Sequence, residues 1–247
     1  MNIALLGYGK MGREIEAVAK DSNHSVKAII DPSCADATCK EISADSVKGA
    51  DVCIDFTQPE CALENIRKLS ALKKNIVIGT TGWHSQLDEA KKIVKGSGTG
   101  LVYAANFSVG VNLFYRIVGN ASKMVGSLDD YDVLAYELHH KMKKDSPSGT
   151  AKSISEIIMQ NFKKKKKVNY GMLNRQPEND ELHFASVRGG SIPGTHTVLF
   201  DSQADTIELT HTARNRRGFA SGAILAAEWL KGKKGFYNFS DIFDEFL

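Results

Sequence analysis

The chain has 247 residues, 42% hydrophobic and 25% charged, which is the balance of an ordinary globular protein. That is enough apolar material for one large core or two modest ones, and it excludes a disordered chain and a disulfide-stapled miniprotein. The net charge of +3 comes from 32 Lys and Arg against 29 Asp and Glu; five positives form the single run Lys163 to Lys167, and a nucleic-acid binder would spread its basic residues over a face instead.

The first half alternates short apolar runs with helical patterns. The runs Asn2–Leu6, Val26–Ile30, Val52–Phe56, Ile76–Ile78 and Leu101–Ala104 have the length of strands and are rich in Ile, Val and Leu. Several are apolar at consecutive positions, as suits parallel strands covered on both faces. Between them, Gly12–Lys20, Glu60–Leu72 and Ser85–Lys95 have helical spacing, with Ala62, Ile66 and Leu69 forming one docking stripe. This order predicts right-handed βαβ units and an open parallel sheet. In the second half, Tyr131–His140 alternates, with Val133, Ala135, Glu137 and His139 on one face. A helix is expected near Thr150–Gln160, followed by the basic run as a solvated loop. Strands are expected at Leu182–Arg188, Thr195–Phe200 and Thr206–His211, punctuated by Gly189-Gly190 and Pro193-Gly194. Short connections favour an antiparallel or mixed sheet. Ala220–Leu230 is small and apolar, which predicts a buried helix folding back on the first domain.

No apolar run approaches the roughly 18–20 residues that span a bilayer. The N-terminus has neither a basic lead-in nor a small-residue cleavage site, so the cytoplasm is the expected location and no membrane partner is expected. Cys34, Cys39, Cys53 and Cys61 form no Cys-x-x-Cys pair and have no histidine cluster beside them. Free thiols in a reducing compartment, and no metal, are the expectation.

Gly7-Tyr8-Gly9-Lys10-Met11-Gly12 follows a predicted strand and opens a helix. In that context the glycines permit a tight turn, close approach of a pyrophosphate and close helix packing, while the helix N-terminus offers unpaired N–H groups. Asp31 ends the second strand, 19 residues after Gly12, where a carboxylate accepts from both ribose hydroxyls and repels a 2′-phosphate. That favours NADH; Lys10 is placed to reach toward a 2′-phosphate, which leaves NADPH open. Gly79-Thr80-Thr81-Gly82 and Ala104-Ala105-Asn106-Phe107 end the fourth and fifth strands, where ligands of open α/β sheets sit. Ordinary helix capping is the competing reading of both.

The densest chemistry runs from Glu137 to Thr150. Adjacent His139 and His140 point to opposite faces of a strand, so one can be catalytic while the other binds or packs. Ser148-Gly149-Thr150 places hydroxyls and free N–H groups at a helix start, and Lys143 brings a full positive charge, so the segment suits an anionic substrate with a proton donor alongside. Arg214, Arg216 and Arg217 form a second cluster that cannot all face one pocket.

The runs Ile54-Asp55-Phe56-Thr57, Val77–Gly82, Ala105–Asn112 and His139-His140 through Ser148-Gly149-Thr150 together resemble the 4-hydroxy-tetrahydrodipicolinate reductase (dihydrodipicolinate reductase) family, over essentially the whole chain. The resemblance implies a Rossmann-type α/β cofactor domain at 1–107 and 217–247, and a smaller α+β substrate and oligomerisation domain at 108–216. It implies a homotetramer built through the antiparallel sheets; hinge motion near 107 and 217 is expected because the two domains must close to bring hydride and acceptor together. The resemblance further implies that NADH or NADPH reduces a small cyclic dicarboxylate on the route to lysine. Gly7, Tyr8, Gly9, Lys10, Met11, Gly12, Asp31, Gly79, Thr80, Thr81, Ala104, Ala105, Asn106 and Phe107 fall to the cofactor. His139 and Lys143 fall to catalysis, and His140, Ser148, Gly149, Thr150 and Arg216 to the substrate. Many relatives carry arginine where this chain has Pro32, and the interval between Val26–Ile30 and Asp51 is short. Rival readings are a homoserine or semialdehyde dehydrogenase, which would lack the His139–Thr150 constellation, and a non-catalytic NAD(P) sensor, which would lose its proton donors.

Overall fold

The computed structural model describes residues 1–247 and divides into two units, Met1–Val109 with Arg216–Leu247, and Gly110–Asn215. In the first, β1 (Asn2–Leu6), α1 (Lys10–Asp21), β2 (Ser25–Ile30), β3 (Val52–Asp55), α2 (Pro59–Ala71), β4 (Asn75–Ile78), α3 (Leu87–Ser97) and β5 (Gly100–Tyr103) follow in order. The parallel sheet reads β11-β5-β4-β3-β1-β2, where β11 (Gly235–Asn238) arrives from the far end of the chain. Strand alternation explains the consecutive apolar positions. Ile3 and Leu5 of β1 pack with Ile15 and Val18 of α1 and with Ala223 and Ala227 of α6 (Arg217–Leu230). Ala4 and Leu6 face the other way, onto Ala62 and Ile66 of α2 and Val94 of α3. Helices cover both faces, which is the Rossmann-type arrangement.

The second unit holds α4 (Val109–Val125), β6 (Asp132–His139), α5 (Gly149–Asn161), β7 (Lys167–Asn169), β8 (Glu181–Arg188), β9 (Thr195–Asp201) and β10 (Thr206–Thr212). Its mixed sheet reads β10-β9-β6-β8-β7. Phe114 and Val118 of α4 and Ile154 and Ile158 of α5 pack on Val133, Phe184, Val198 and Phe200 of one sheet face. Leu134 and Val187, 41% and 54% exposed, point from the opposite face. No helix of either unit is long and apolar enough to cross a membrane.

Three features depart from the sequence reading. The helix α4 was not foreseen: Gly110, Gly119 and two asparagines depress its intrinsic propensity, and the Val111, Phe114, Val118, Val125 stripe succeeds through burial. Ser108, Val109 and Arg216 group with the first unit; Arg216 is the N-cap of α6, and α6 docks on α1. The basic run is only partly a solvated loop: Lys163, Lys166 and Lys167 are exposed, but the middle of the run is not. Lys165 is 2% exposed, and its ammonium donates to the carbonyls of Asn179 and Glu181 at 3.1 and 2.9 Å and pairs with Asp132 at 2.5 Å. Lys164 donates to the Leu128 and Asp129 carbonyls, and Lys167 opens β7.

A sharp contrast within the run is expected. Lys165→Ala strands buried carbonyls and should cost about 2–4 kcal/mol, whereas Lys163→Ala, at an exposed position, should leave stability within about 0.5 kcal/mol. Urea unfolding of both variants checks this, and equal midpoints would contradict the buried role of Lys165.

Candidate functional site

The first unit builds a groove at the carboxyl ends of its strands. Gly7 follows β1 with φ +83°, a conformation that disfavours any side chain, and a Cβ there would lie 2.4 Å from the Phe56 carbonyl oxygen. Gly12 packs against the Gly7 carbonyl in turn. Gly9 is the N-cap of α1 and brings no side-chain cap; a Cβ on it would meet nothing within 4 Å. The first turn of α1 therefore presents N–H groups to open space, which fits a phosphate. Gly7, Gly9, Asp31, Pro32 and Ser33 line a cavity of about 390 Å³.

Asp31 is held firmly. One oxygen accepts the Tyr8 N–H at 2.8 Å; the other accepts the N–H groups of Ser33 and Cys34, each at 2.9 Å, and the Ser33 hydroxyl. The Tyr8 amide, followed by those of Ser33 and Cys34, outweighs burial and holds its carboxyl down at about 2. The oxygen facing Tyr8 accepts that one hydrogen bond, and a carboxylate offers about four lone-pair sites, so capacity for a ribose hydroxyl remains. The Tyr8 hydroxyl donates a hydrogen bond to Glu16, and the ring lies under Arg13.

Other expected cofactor residues separate. Met11, Gly79, Ala104, Ala105, Asn106 and Phe107 line a smaller cavity of about 270 Å³, together with Arg216. Lys10 and Thr81 line neither cavity, whereas Lys40 and Lys68, which no motif signalled, line the larger one. The Thr80 hydroxyl turns inward: it donates to Asp55 at 3.0 Å and accepts from the Thr57 N–H at 2.9 Å. The Thr80 carbonyl accepts from Trp83. Thr80 thus stabilises the strand ends around the buried Asp55 carboxylate, which also accepts from Thr57 and Asn65. Arg217 pairs with Asp21.

In the second unit, strand register assembles the cluster. Glu137 lies beside Ser186 of β8 on one side and His196 of β9 on the other, and His139 lies beside Arg188. Glu137 is fully buried. One oxygen accepts from the Ser148 N–H at 3.0 Å, the Ser186 hydroxyl at 2.8 Å and the Arg188 guanidinium at 2.7 Å. The other accepts from the Ser148 hydroxyl and lies 3.3 Å from both His196 Nε2 and His139 Nδ1. Burial opposes ionisation, but donors from His196, Ser148 and Arg188 prevail and hold this carboxyl well below the usual range. The buried His139 Nδ1 is close to the carboxylate without being aligned for a hydrogen bond. The ligand atoms of Glu137, His139 and His196 lie within 4.8 Å of one another, a donor set known in metal sites; here the Arg188 guanidinium already neutralises the carboxylate.

Ser148 is the N-cap of α5, accepting from the Ala151 N–H. Buried, with its hydroxyl committed to Glu137, Ser148 faces inward rather than toward a ligand. Gly149 and Thr150 form the first turn of α5, and a Cβ at Gly149 would meet nothing within 4 Å. Lys143 is half-buried and pairs with Asp145 at 2.8 Å. The His140 N–H donates to the Ile192 carbonyl, and its own carbonyl accepts from the Lys143 N–H. The sequence had already placed Glu137 on the face of His139. Ser186, Arg188 and His196 carried no local signal.

Burial, opposed by the Glu137 carboxylate, holds the His139 imidazole down from 6.5 to about 4, with His196, Lys143 and Arg188 adding to the depression. The unfolded chain protonates this histidine first. Stability is therefore expected to fall as pH drops from about 6.5 toward 4, by up to about 1.4 kcal/mol per pH unit. His139→Gln should flatten that interval in pH-dependent urea unfolding; an unchanged slope would contradict the depressed imidazole.

Two family models match the chain: dihydrodipicolinate reductase, N-terminus, over residues 1–107, and dihydrodipicolinate reductase, C-terminus, over residues 110–243. The 4-hydroxy-tetrahydrodipicolinate reductase of Christiangramia forsetii is 38% identical over 245 residues, 99% of this chain and 98% of the relative. That of Methanoregula boonei is 40% identical over 79% of this chain and 75% of its own length. A dipicolinate-bound dihydrodipicolinate reductase from a Paenisporosarcina species shares the fold, with a TM-score of 0.78 at 23% identity, covering 98% of this chain and 99% of that one. With both halves matched and a relative aligned almost end to end, the chain belongs to the dihydrodipicolinate reductase family, and it is an NAD(P)H-dependent oxidoreductase acting on 4-hydroxy-tetrahydrodipicolinate.

Proposed function

We propose that the second unit binds the dicarboxylate and manages its proton, and that the first unit holds the nicotinamide cofactor. The carrying observation is the juxtaposition of His139, the Lys143 loop and the open first turn of α5 around one buried carboxylate. The first turn of α5, at Gly149 and Thr150, forms the positive end of the helix and suits a substrate carboxylate. Lys143 adds a charge that stabilises negative charge developing on the ring. Arg216 offers a guanidinium within the smaller cavity of the first unit, and we assign it to a carboxylate as well.

The reduced nicotinamide, when bound, supplies the hydride. Lys143 is the better proton donor of the resting protein, because His139 is neutral near pH 7. An incoming dianion beside His139 favours its charged form, so the imidazole gains a proton as substrate arrives and serves as a relay. His140 acts as a further substrate contact. The reaction yields tetrahydrodipicolinate, in lysine biosynthesis.

For the cofactor we infer NADH preference with NADPH accepted. Asp31 repels a 2′-phosphate, and Pro32 adds no charge to offset it, while Lys40 and Lys68 bring positive charge into the same groove. Asp31→Ala should raise the NADPH/NADH ratio of kcat/KM about tenfold, and an unmoved ratio would remove this carboxylate from the ribose. We also infer a cytoplasmic homotetramer joined through the second unit's sheet; the exposed Leu134 and Val187 support that surface. The overall test is oxidation of NADH and of NADPH with substrate made in situ by the preceding synthase. Rapid oxidation is expected, and cofactor binding without turnover would overturn the reading.

A further inference from the structure

The mechanism uses His139, Lys143 and the first turn of α5, and gives Glu137 no task. The same face of β6 carries Val133 and Ala135, so an apolar residue would suit the core there. Burying a carboxylate is costly unless every lone pair is engaged. The bonds that engage this one lead to each working part. Its oxygens fix the Ser148 N–H and hydroxyl, which set the start of α5. They lie against His139 Nδ1. Through Arg188, whose guanidinium bridges Glu137 at 2.7 Å and the Asp145 carbonyl at 2.8 Å, they reach the loop in which Asp145 holds Lys143. Ser186 and His196 brace the carboxylate from the neighbouring strands.

We propose that Glu137 is a positioning residue, locking the anion-binding turn of α5, the His139 imidazole and the Lys143 loop into one register. The proposal rests on the assignment of the second unit to substrate. Its action is through other residues, because Glu137 is sealed from solvent. Removing its charge frees the turn and leaves Arg188 uncompensated, so substrate affinity and turnover fail together. A merely structural role would instead reduce the fraction of folded enzyme, lowering apparent kcat at unchanged KM.

The experiment compares the parent with Glu137→Gln and Ser186→Ala. NADH affinity is read by fluorescence, folding by circular dichroism, and steady-state kinetics with substrate made in situ. For Glu137→Gln, KM for the dicarboxylate should rise about tenfold or more and kcat should fall by a similar factor, with NADH affinity within about twofold of the parent. Ser186→Ala removes one donor and keeps the charge, so KM should rise about two- to fivefold. Folded Glu137→Gln with the parent's KM overturns the proposal. If Glu137→Gln does not fold, Ser186→Ala decides, and a KM equal to the parent's overturns it. A parent chain that binds NADH but neither turns over nor binds dipicolinate defeats the substrate assignment, and the proposal with it, before any variant is compared.

Discussion

Lys143→Ala is expected to lower kcat/KM by roughly 1,000-fold. A positioned proton donor is worth about 100- to 10,000-fold, and a charged contact to a substrate carboxylate adds about tenfold or more. Lys143 occupies both roles in the reading above: half-buried, anchored to Asp145 at 2.8 Å, and in the loop that precedes α5. The two roles separate in Lys143→Arg. Arginine keeps the charge but does not release its proton in this pH range, so KM should recover while kcat stays low. Lys144→Ala, at an exposed neighbouring position, serves as control and should behave as the parent. Steady-state kinetics of all three decides the matter; if Lys143→Ala keeps the parent's parameters, Lys143 has no part in the reaction.

The second large effect comes from a residue without a side chain. Gly194, in the connection between β8 and β9, has φ +153°, and a Cβ built on it would sit 2.9 Å from His139 Nε2 and 3.3 Å from Cδ2. The ring has little room to retreat. The His196 ring lies edge-on with its centroid 5.3 Å away, and Glu137 closes the Nδ1 side. Nor does the backbone yield freely, since the Gly194 carbonyl accepts the Ala213 N–H at 2.9 Å. Gly194→Ala should therefore tilt the imidazole and reduce kcat by about 100-fold, the scale of a displacement near 1 Å at a reacting group. NADH affinity should be unchanged, because the groove belongs to the other unit. Turnover near that of the parent would show that the ring is not held against this glycine.

The sequence was most informative where structure is local. Strands β1, β3, β4 and β5 announce themselves because sheet burial on both faces gives them consecutive apolar residues, and β2 does so in its buried half, Ala28–Ile30. His139, Lys143 and Thr150 sit in one short segment, so their grouping needed no tertiary knowledge. By contrast, Glu137 owes its partners to register: Ser186 and His196 reach it from 49 and 59 residues away through strand pairing that a single sequence does not encode legibly. Lys165 was misread because charge runs are usually solvated; its burial depends on carbonyls at Asn179 and Glu181 that only the folded chain brings near. For Ser148 the residue type suggested a ligand hydroxyl, and the deciding fact was which way that hydroxyl turns.

The strand β11 has a further consequence, for the order in which the chain matures during synthesis. The second unit has all five of its strands once Thr212 has emerged from the ribosome, so its core can close before the last segment of the chain is free. The first unit must wait: β5 remains a bare sheet edge, and one face of β1 lacks α6, until residues 217 to 238 emerge. Five early strands thus persist as an unfinished, apolar sheet through the synthesis of the inserted unit. Such intermediates are where nascent chains meet chaperones or pair with the wrong edge. A released chain ending at residue 215 would display a protease-resistant second unit beside a protease-sensitive first one.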